Sequence, residues 1–274
     1  MRLTPVDKLE FLVLVDNCIE WFSALPPGFV HEVPQHLKRP PPNEPPKDPL
    51  TGLPVLDFAN YCCGAHGLSI LIMTTIGDKT YQVLMDGGPE HLTIERNVKA
   101  MAVELKDLDA IVLSHWHSDH SGGILKALEL RQSSSSSSSF SSSSNSLGPL
   151  DTLDPLNALP VDLHPERPIR RGICNVLTDA QTTYDRPIHM VVGGLHLVPT
   201  AQQPVVETVD FLSRRLRPSP KYVLPLHCTG LEARAMLRQA MGDACITAGV
   251  GMRVTVDAKA EEELDADDEL QILD

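Results

Sequence analysis

The sequence predicts an α/β chain, with a layered sheet, helices outside it and chemistry-bearing residues at the strand ends. Three observations carry this reading. Short apolar runs of strand length alternate with stretches of helical spacing. A strand, histidine, helix rhythm occurs twice in the second half, around His196 and His227. Three histidines and one aspartate also fall within residues 115–120, directly after the apolar run 110–113.

Taken in order, residues 10–16 read as a buried strand ending at the polar pair Asp16-Asn17. Residues 26–54 are proline-rich, with Pro40-Pro41-Pro42 and Pro45-Pro46, and are expected to hold no regular element. Residues 68–75 and 80–85 form two strands joined through Gly77-Asp78, a hairpin signal. The second of them runs into Asp86-Gly87-Gly88, where glycines let the backbone turn close to a ligand. Residues 95–105 carry helical spacing on Val98, Met101, Ala102 and Leu105, and they feed the strand that delivers His115.

Beyond the histidine cluster, 124–130 continues as a helix before the nearly pure serine run 133–146. That run cannot bury enough apolar surface to order itself, and flexibility is expected towards Pro168. Order resumes at Gly172, with strands at 188–192 and 222–226 and helices at 205–216 and 231–241, the last closed by Gly242. The 205–216 helix places Val205, Val209, Leu212 and Leu216 on one stripe. Residues 248–256 supply the last strand. The expected organisation is one domain over 1–256, interrupted by the Pro-rich loop 26–54 and a Ser-rich insertion at 131–168. An acidic tail follows at 257–274.

The 274 residues can bury a sizeable core, built from Leu, Val, Ile and Ala because aromatic residues are only 4% of the chain. The net charge of −13 argues against nucleic acid as a partner, since phosphate binding needs clustered Lys and Arg. Much of that charge lies in the C-terminal tail. No apolar run approaches the roughly 20 residues a membrane-spanning helix requires. The six cysteines have no framework spacing and no signal peptide precedes them, so reduced thiols in a cytoplasmic protein are expected. The adjacent Cys62-Cys63 pair reads as buried small hydrophobes. Oligomeric state is not written in the sequence.

The stretch Ser114-His115-Trp116-His117-Ser118-Asp119-His120-Ser121-Gly122-Gly123 carries the chemistry. His115 and His117, two apart on an extended segment, point the same way and can grip one ion. Asp119 and His120 follow a turn and face a second position. Imidazole and carboxylate suit zinc, with iron or manganese as alternatives. Ser121, Gly122 and Gly123 give a helix start with little bulk near the ions.

This stretch resembles the signature of the metallo-β-lactamase superfamily, which implies an αββα sandwich and metal-dependent hydrolysis. Further pieces look like one branch, the proteins related to the archaeal dihydropterin ribofuranosyl-aminobenzene phosphate synthase and their fungal counterparts. These pieces are 14–17, 65–69, 86–88, 193–197 and 227–230. The resemblance implies His115, His117, Asp119, His120 and His227 as ligands of one or two zinc ions, with Asp86 and His66 in support. It implies Asp119 and His196 as catalytic groups. Asp119 would orient the nucleophile or hold the second ion, and His196 would face the same site as a ligand or substrate contact. Cys228, beside His227, reads as a packed residue rather than a nucleophile.

One departure stands out. Members of that branch carry a long central segment ending in Gly-Cys-x-His, whereas this chain runs Pro165-Glu166-Arg167-Pro168-Ile169-Arg170-Arg171 into Gly172-Ile173-Cys174-Asn175. The sandwich is therefore expected to be incomplete in its second half. The leading function is hydrolysis of an ester, amide or phosphoester-type small molecule by metal-bound hydroxide. The alternatives are a pterin-related transferase or synthase, a di-iron oxidoreductase, or a truncated relative without activity.

Overall fold

A computed structural model describes residues 3–133, 161–162, 172–198 and 202–258. Nine strands are found among them: β1 Lys8–Val15, β2 Phe29–Val30, β3 Ser69–Ile76, β4 Lys79–Met85, β5 Leu108–Val112, β6 Val161–Asp162, β7 Met190–Gly194, β8 Tyr222–Leu226 and β9 Arg253–Asp257. The α-helices are α1 Glu32–Leu37, α2 His91–Ala100, α3 Ser118–Ser121, α4 Ile124–Ser133, α5 Gly172–Tyr184, α6 Gln202–Asp210 and α7 Leu231–Met241.

One sheet has the order β2-β9-β1-β3-β4-β5-β6, and a second holds β7 and β8 in parallel. Alternation along the strands sorts their side chains into separate cores. Leu12 and Leu14 of β1 and Leu71 of β3 face α2 and α4, packing with Ile94, Val98 and Ala127. Phe11, Val13 and Ile70 point the other way and meet Leu224 and Leu226 of β8 between the sheets. Val191 and Val223 leave the far face of the second sheet to pack under α5, α6 and α7. The result is four layers, α/β/β/α. No helix among the described residues is long and apolar enough to cross a membrane.

The hairpin through Gly77-Asp78 forms with Ile76 opposite Lys79. Several boundaries differ from expectation for local reasons. α2 starts at His91, not Glu95, because the Glu90 carboxylate accepts from the Leu92 and Thr93 backbone N–H groups and caps the helix there. It stops at Ala100 because Ala102 turns into the left-handed region at φ 51°, although Met101 and Leu105 stay buried. The final strand begins only at Arg253, after a turn through Gly251 at φ 83°. The helix expected over 205–216 is α6 followed by a π-helical turn, Phe211–Arg215. Its stripe of Val205, Val209, Leu212 and Leu216 is buried as the spacing requires.

The Pro-rich loop is a correction, because β2 and α1 lie inside it. Pro34 sits in the first turn of α1, where its missing N–H would have had no intrahelical partner. Inside the expected Ser-rich insertion, α4 runs on to Ser133, and Val161–Asp162 pairs in parallel with Ile111–Val112. The rest of that insertion, residues 165–171 with Arg170 and Arg171, and the acidic tail beyond residue 258 lie outside the described residues.

Candidate metal centre

Four strands of the two sheets end at one place. β1 delivers Asp16 and Asn17, β4 delivers Asp86, β5 delivers Ser114 to His120, and β8 delivers His227. Strand ends gather polar groups because the backbone has left the sheet ladder and the side chains no longer need to fill a core.

Asp86 is the hub of the loop after β5. It is fully buried, with φ at 59°, a conformation that Asp adopts more readily than most residues. Its Oδ1 accepts from the Ser114 backbone N–H at 2.7 Å, and its Oδ2 accepts from Ser114 Oγ at 2.8 Å and from His120 Nδ1 at 2.7 Å. Since Ser114 spends its hydroxyl proton on Asp86, its oxygen accepts from His115 Nδ1 at 3.0 Å. His115 and His120 therefore both carry the proton on Nδ1 and turn an Nε2 lone pair outward, the arrangement that metal-ligating histidines use.

His227 is set the same way from the other sheet. Its backbone N–H donates to Asp16 Oδ1 at 2.6 Å, and its Nδ1 donates to Asn17 Oδ1 at 2.9 Å. Asp16, itself fully buried, is held by the Cys18 backbone N–H at 2.9 Å and by the Arg234 guanidinium at 3.3 Å. The Nε2 of His227 then lies 3.2 Å from Asp119 Oδ2, while His120 Nε2 lies 3.9 Å and His66 Nε2 3.6 Å from the same oxygen. His115 Nε2 approaches His117 Nδ1 to 3.1 Å, and the His115 and His120 rings are 4.1 Å apart.

Tight backbone packing brings the loops together. A β-carbon on Gly122 would lie 2.0 Å from the Pro89 carbonyl oxygen, and one on Gly123 would lie 2.1 Å from that of Gly87. Only glycine allows the turn after β4 and the start of α4 to touch at these points.

Electrostatics favour the unprotonated donor at His227, His115 and Asp119. Burial, reinforced by His120, pushes the His227 imidazole down to about 4 despite the attraction of Asp119. Burial and the neighbouring His120 and His117 also lower His115. Desolvation alone would raise the Asp119 carboxyl, but His120, its own backbone hydrogen bond and His227 hold it below the usual range. Neutral imidazoles and an ionised carboxylate are the forms that bind a divalent ion, so the residues present fit one.

Of the expected site residues, the structure gathers His115, His117, Asp119, His120, His227, Asp86 and His66 at one end of the sandwich. His196 stands apart. It is exposed in the left-handed region at φ 54°, and among the described residues its side chain makes no hydrogen bond or ion pair. Its backbone N–H instead approaches the half-buried Cys228 thiol, which burial pushes up. Asn17, Asp16 and Ser114 lie within the quoted motifs, but the sequence assigns them no role at the site. The signal for the first two was a polar Asp-Asn pair closing an otherwise apolar strand.

Residues 76–132 match the model of the metallo-β-lactamase superfamily. The solved structure of Tm1679, described as a metal-dependent hydrolase of the β-lactamase superfamily, aligns over 91% of this chain and 99% of its own with a TM-score of 0.52 at 18% identity. The chain has the metallo-β-lactamase fold. More local similarities reach MEM-A1, a subclass B3 metallo-β-lactamase from a soil metagenome library, at 26% identity over 25% of each chain and a TM-score of 0.20. The metallo-β-lactamase SMB-1 matches at 25% identity over 26% of this chain and 27% of its own, with a TM-score of 0.21. No curated protein sequence matches. Within the metallo-β-lactamase fold, the matched residues run from the end of β3 into the last turn of α4, so they hold Asp86 and the whole histidine loop but neither Asn17 nor His227.

Proposed function

We propose that this chain is a metal-dependent hydrolase of a small ester, amide or phosphoester. One observation carries the reading: histidine nitrogens and a carboxylate from both sheets converge, and His115, His120 and His227 each have an acceptor behind Nδ1 that leaves Nε2 free to bind an ion. His115 and His117 would hold one ion, and Asp119, His120 and His227 its neighbour. A bound zinc, iron or manganese ion would acidify water and polarise a carbonyl or phosphoryl oxygen. The protein's own part is to keep the Nδ1 protons on Ser114, Asp86 and Asn17, so that every lone pair faces the site. Trp116, 72% exposed between His115 and His117, offers an aromatic wall to a substrate.

The pieces that resemble the pterin-synthase branch meet in space, since Asn17 contacts both His66 and His227. This supports placing the chain in that branch, with a phosphate-bearing substrate as the second reading. All six cysteines are unpaired, which fits a reducing compartment such as the cytoplasm.

The test is elemental analysis of the purified protein beside a His115→Ala, His117→Ala variant, followed by a screen of ester, amide and pterin phosphate substrates. One or two ions per chain, reduced in the variant, together with turnover of one class, is the expected result. Metal content that the substitutions leave unchanged would overturn the reading and favour a relative without activity.

A further inference from the structure

His66, Asp119 and His227 place their ligand atoms within 4.8 Å of one another, so distance alone would make His66 a third ligand beside His227. The hydrogen bonds of Asn17 decide otherwise. The Gly67 backbone N–H can only donate, and it points at one end of the Asn17 amide at 3.3 Å. That end is therefore the oxygen Oδ1. The His227 Nδ1, 2.9 Å from the same oxygen, must then be an N–H. The other end of the amide, Nδ2, lies 3.3 Å from His66 Nδ1 and carries only protons. A nitrogen facing an amide NH2 accepts, so neutral His66 holds its proton on Nε2.

We infer that Asn17 sets two neighbouring imidazoles in opposite tautomers, making His227 a metal ligand and His66 a substrate-facing N–H donor. His115, His120 and His227 are all protonated on Nδ1, and His66 is the exception among them. Its Nε2–H points towards the space near Asp119 that the His120 and His227 lone pairs also face, at 3.6 Å from Asp119 Oδ2. With its side chain 75% exposed, His66 is open to a ligand from solvent. The ligand chemistry that fits is an oxygen gaining negative charge, such as a substrate carbonyl or phosphoryl oxygen, which a preorganised donor stabilises. Asn17 acts through the two rings and is a positioning residue.

This inference rests on the proposed metal centre for its use but not for its measurement. Imidazole nitrogen shifts, recorded by NMR on the full chain with isotope-labelled histidine before and after zinc addition, report each tautomer directly. The expected result is an Nε2–H on His66 and an Nδ1–H on His227, with zinc moving the His227 Nε2 signal and leaving the His66 proton in place. Zinc affinity should change little in His66→Gln and fall strongly in His227→Ala. Asn17→Asp offers an acceptor to both rings, so it should move the His66 proton to Nδ1 and raise zinc affinity, since a carboxylate behind a ligating imidazole raises its basicity. An Nδ1–H on His66 in the wild-type chain, or loss of an ion in His66→Gln, overturns the assignment. If His227→Ala leaves zinc binding intact, His227 is not a ligand and that half of the inference fails with the metal centre, while the tautomer of His66 is decided by its own nitrogen shifts.

Discussion

Asp86 Oδ2 and His120 Nδ1 lie 2.7 Å apart with both residues buried, and the same carboxylate holds the Ser114 backbone N–H and hydroxyl. One side chain thus fixes the tautomers of two expected ligands, His120 directly and His115 through Ser114. Asp86→Asn keeps the shape and tolerates the left-handed backbone, but its NH2 end cannot accept. Zinc affinity should fall by about 10–100-fold while the fold persists. Asp86→Ala should also lower stability, by about 1–3 kcal/mol, because buried donors lose their acceptor. Competition titration with a chelator and denaturant unfolding check the two effects. Unchanged affinity in Asp86→Asn would show that Asp86 does not orient His120.

Gly123→Ala should destabilise the chain by steric overlap. The new methyl would meet the Gly87 carbonyl oxygen at 2.1 Å and the Ile94 side chain at 3.1 Å, so the loops after β4 and β5 must separate. Overpacking of this kind costs about 1–3 kcal/mol. Separation also pulls Asp86 away from Ser114, so zinc affinity should drop together with the unfolding midpoint. Equal stability of the variant and the wild-type chain would contradict the close approach.

Much of the fold was legible because period-two and helical spacings follow directly from which faces are buried. Tyr222–Leu226 and Leu231–Met241 have the bounds their patterns predict. The histidine loop was legible as a motif, since its expected ligands are neighbours in sequence. What escaped depends on long-range contact. Asn17 and His227 are 210 residues apart, and nothing local marks the asparagine as the group that orients the histidine. α1 escaped because proline content hides a helix whose first turn accepts Pro34, whose Val33 packs against the core and whose Glu32 is buried against Arg39. His196 differs from the histidines of the loop after β5. Its Gly-Gly-Leu-His motif is visible, yet its left-handed backbone leaves the side chain exposed.

The cysteines give a test of the packing. Burial pushes the Cys62 thiol up to about 12 and Cys245 up to about 11, and both residues are almost fully enclosed. The thiolate is the reactive form, so neither should be alkylated in the native chain near pH 8. Cys18, Cys63 and Cys174 are only partly buried and should label first. Mass spectrometry after timed iodoacetamide treatment reads the order. Early modification of Cys62 would mean that the core joining β1 to α2 is open.

Glu32 predicts a pH dependence with a definite sign. It is 1% exposed, and desolvation raises its carboxyl to about 7 from an ordinary 4.5, against the pull of the Arg39 guanidinium that it contacts. A raised folded-state pKa means that the folded chain binds this proton more tightly than the unfolded chain does. The associated stability is fully present below about pH 4.5 and is lost as pH rises through about 7. Glu32→Gln is neutral throughout and keeps a hydrogen-bonding group beside Arg39, so it lacks that slope. The stability of the wild-type chain relative to Glu32→Gln should therefore decline between pH 4.5 and 7, by about 1–3 kcal/mol. Denaturant unfolding of both chains at several pH values within that window measures the difference. A difference that stays constant or grows with pH would show that Arg39 outweighs burial and that Glu32 is ionised in the folded chain throughout.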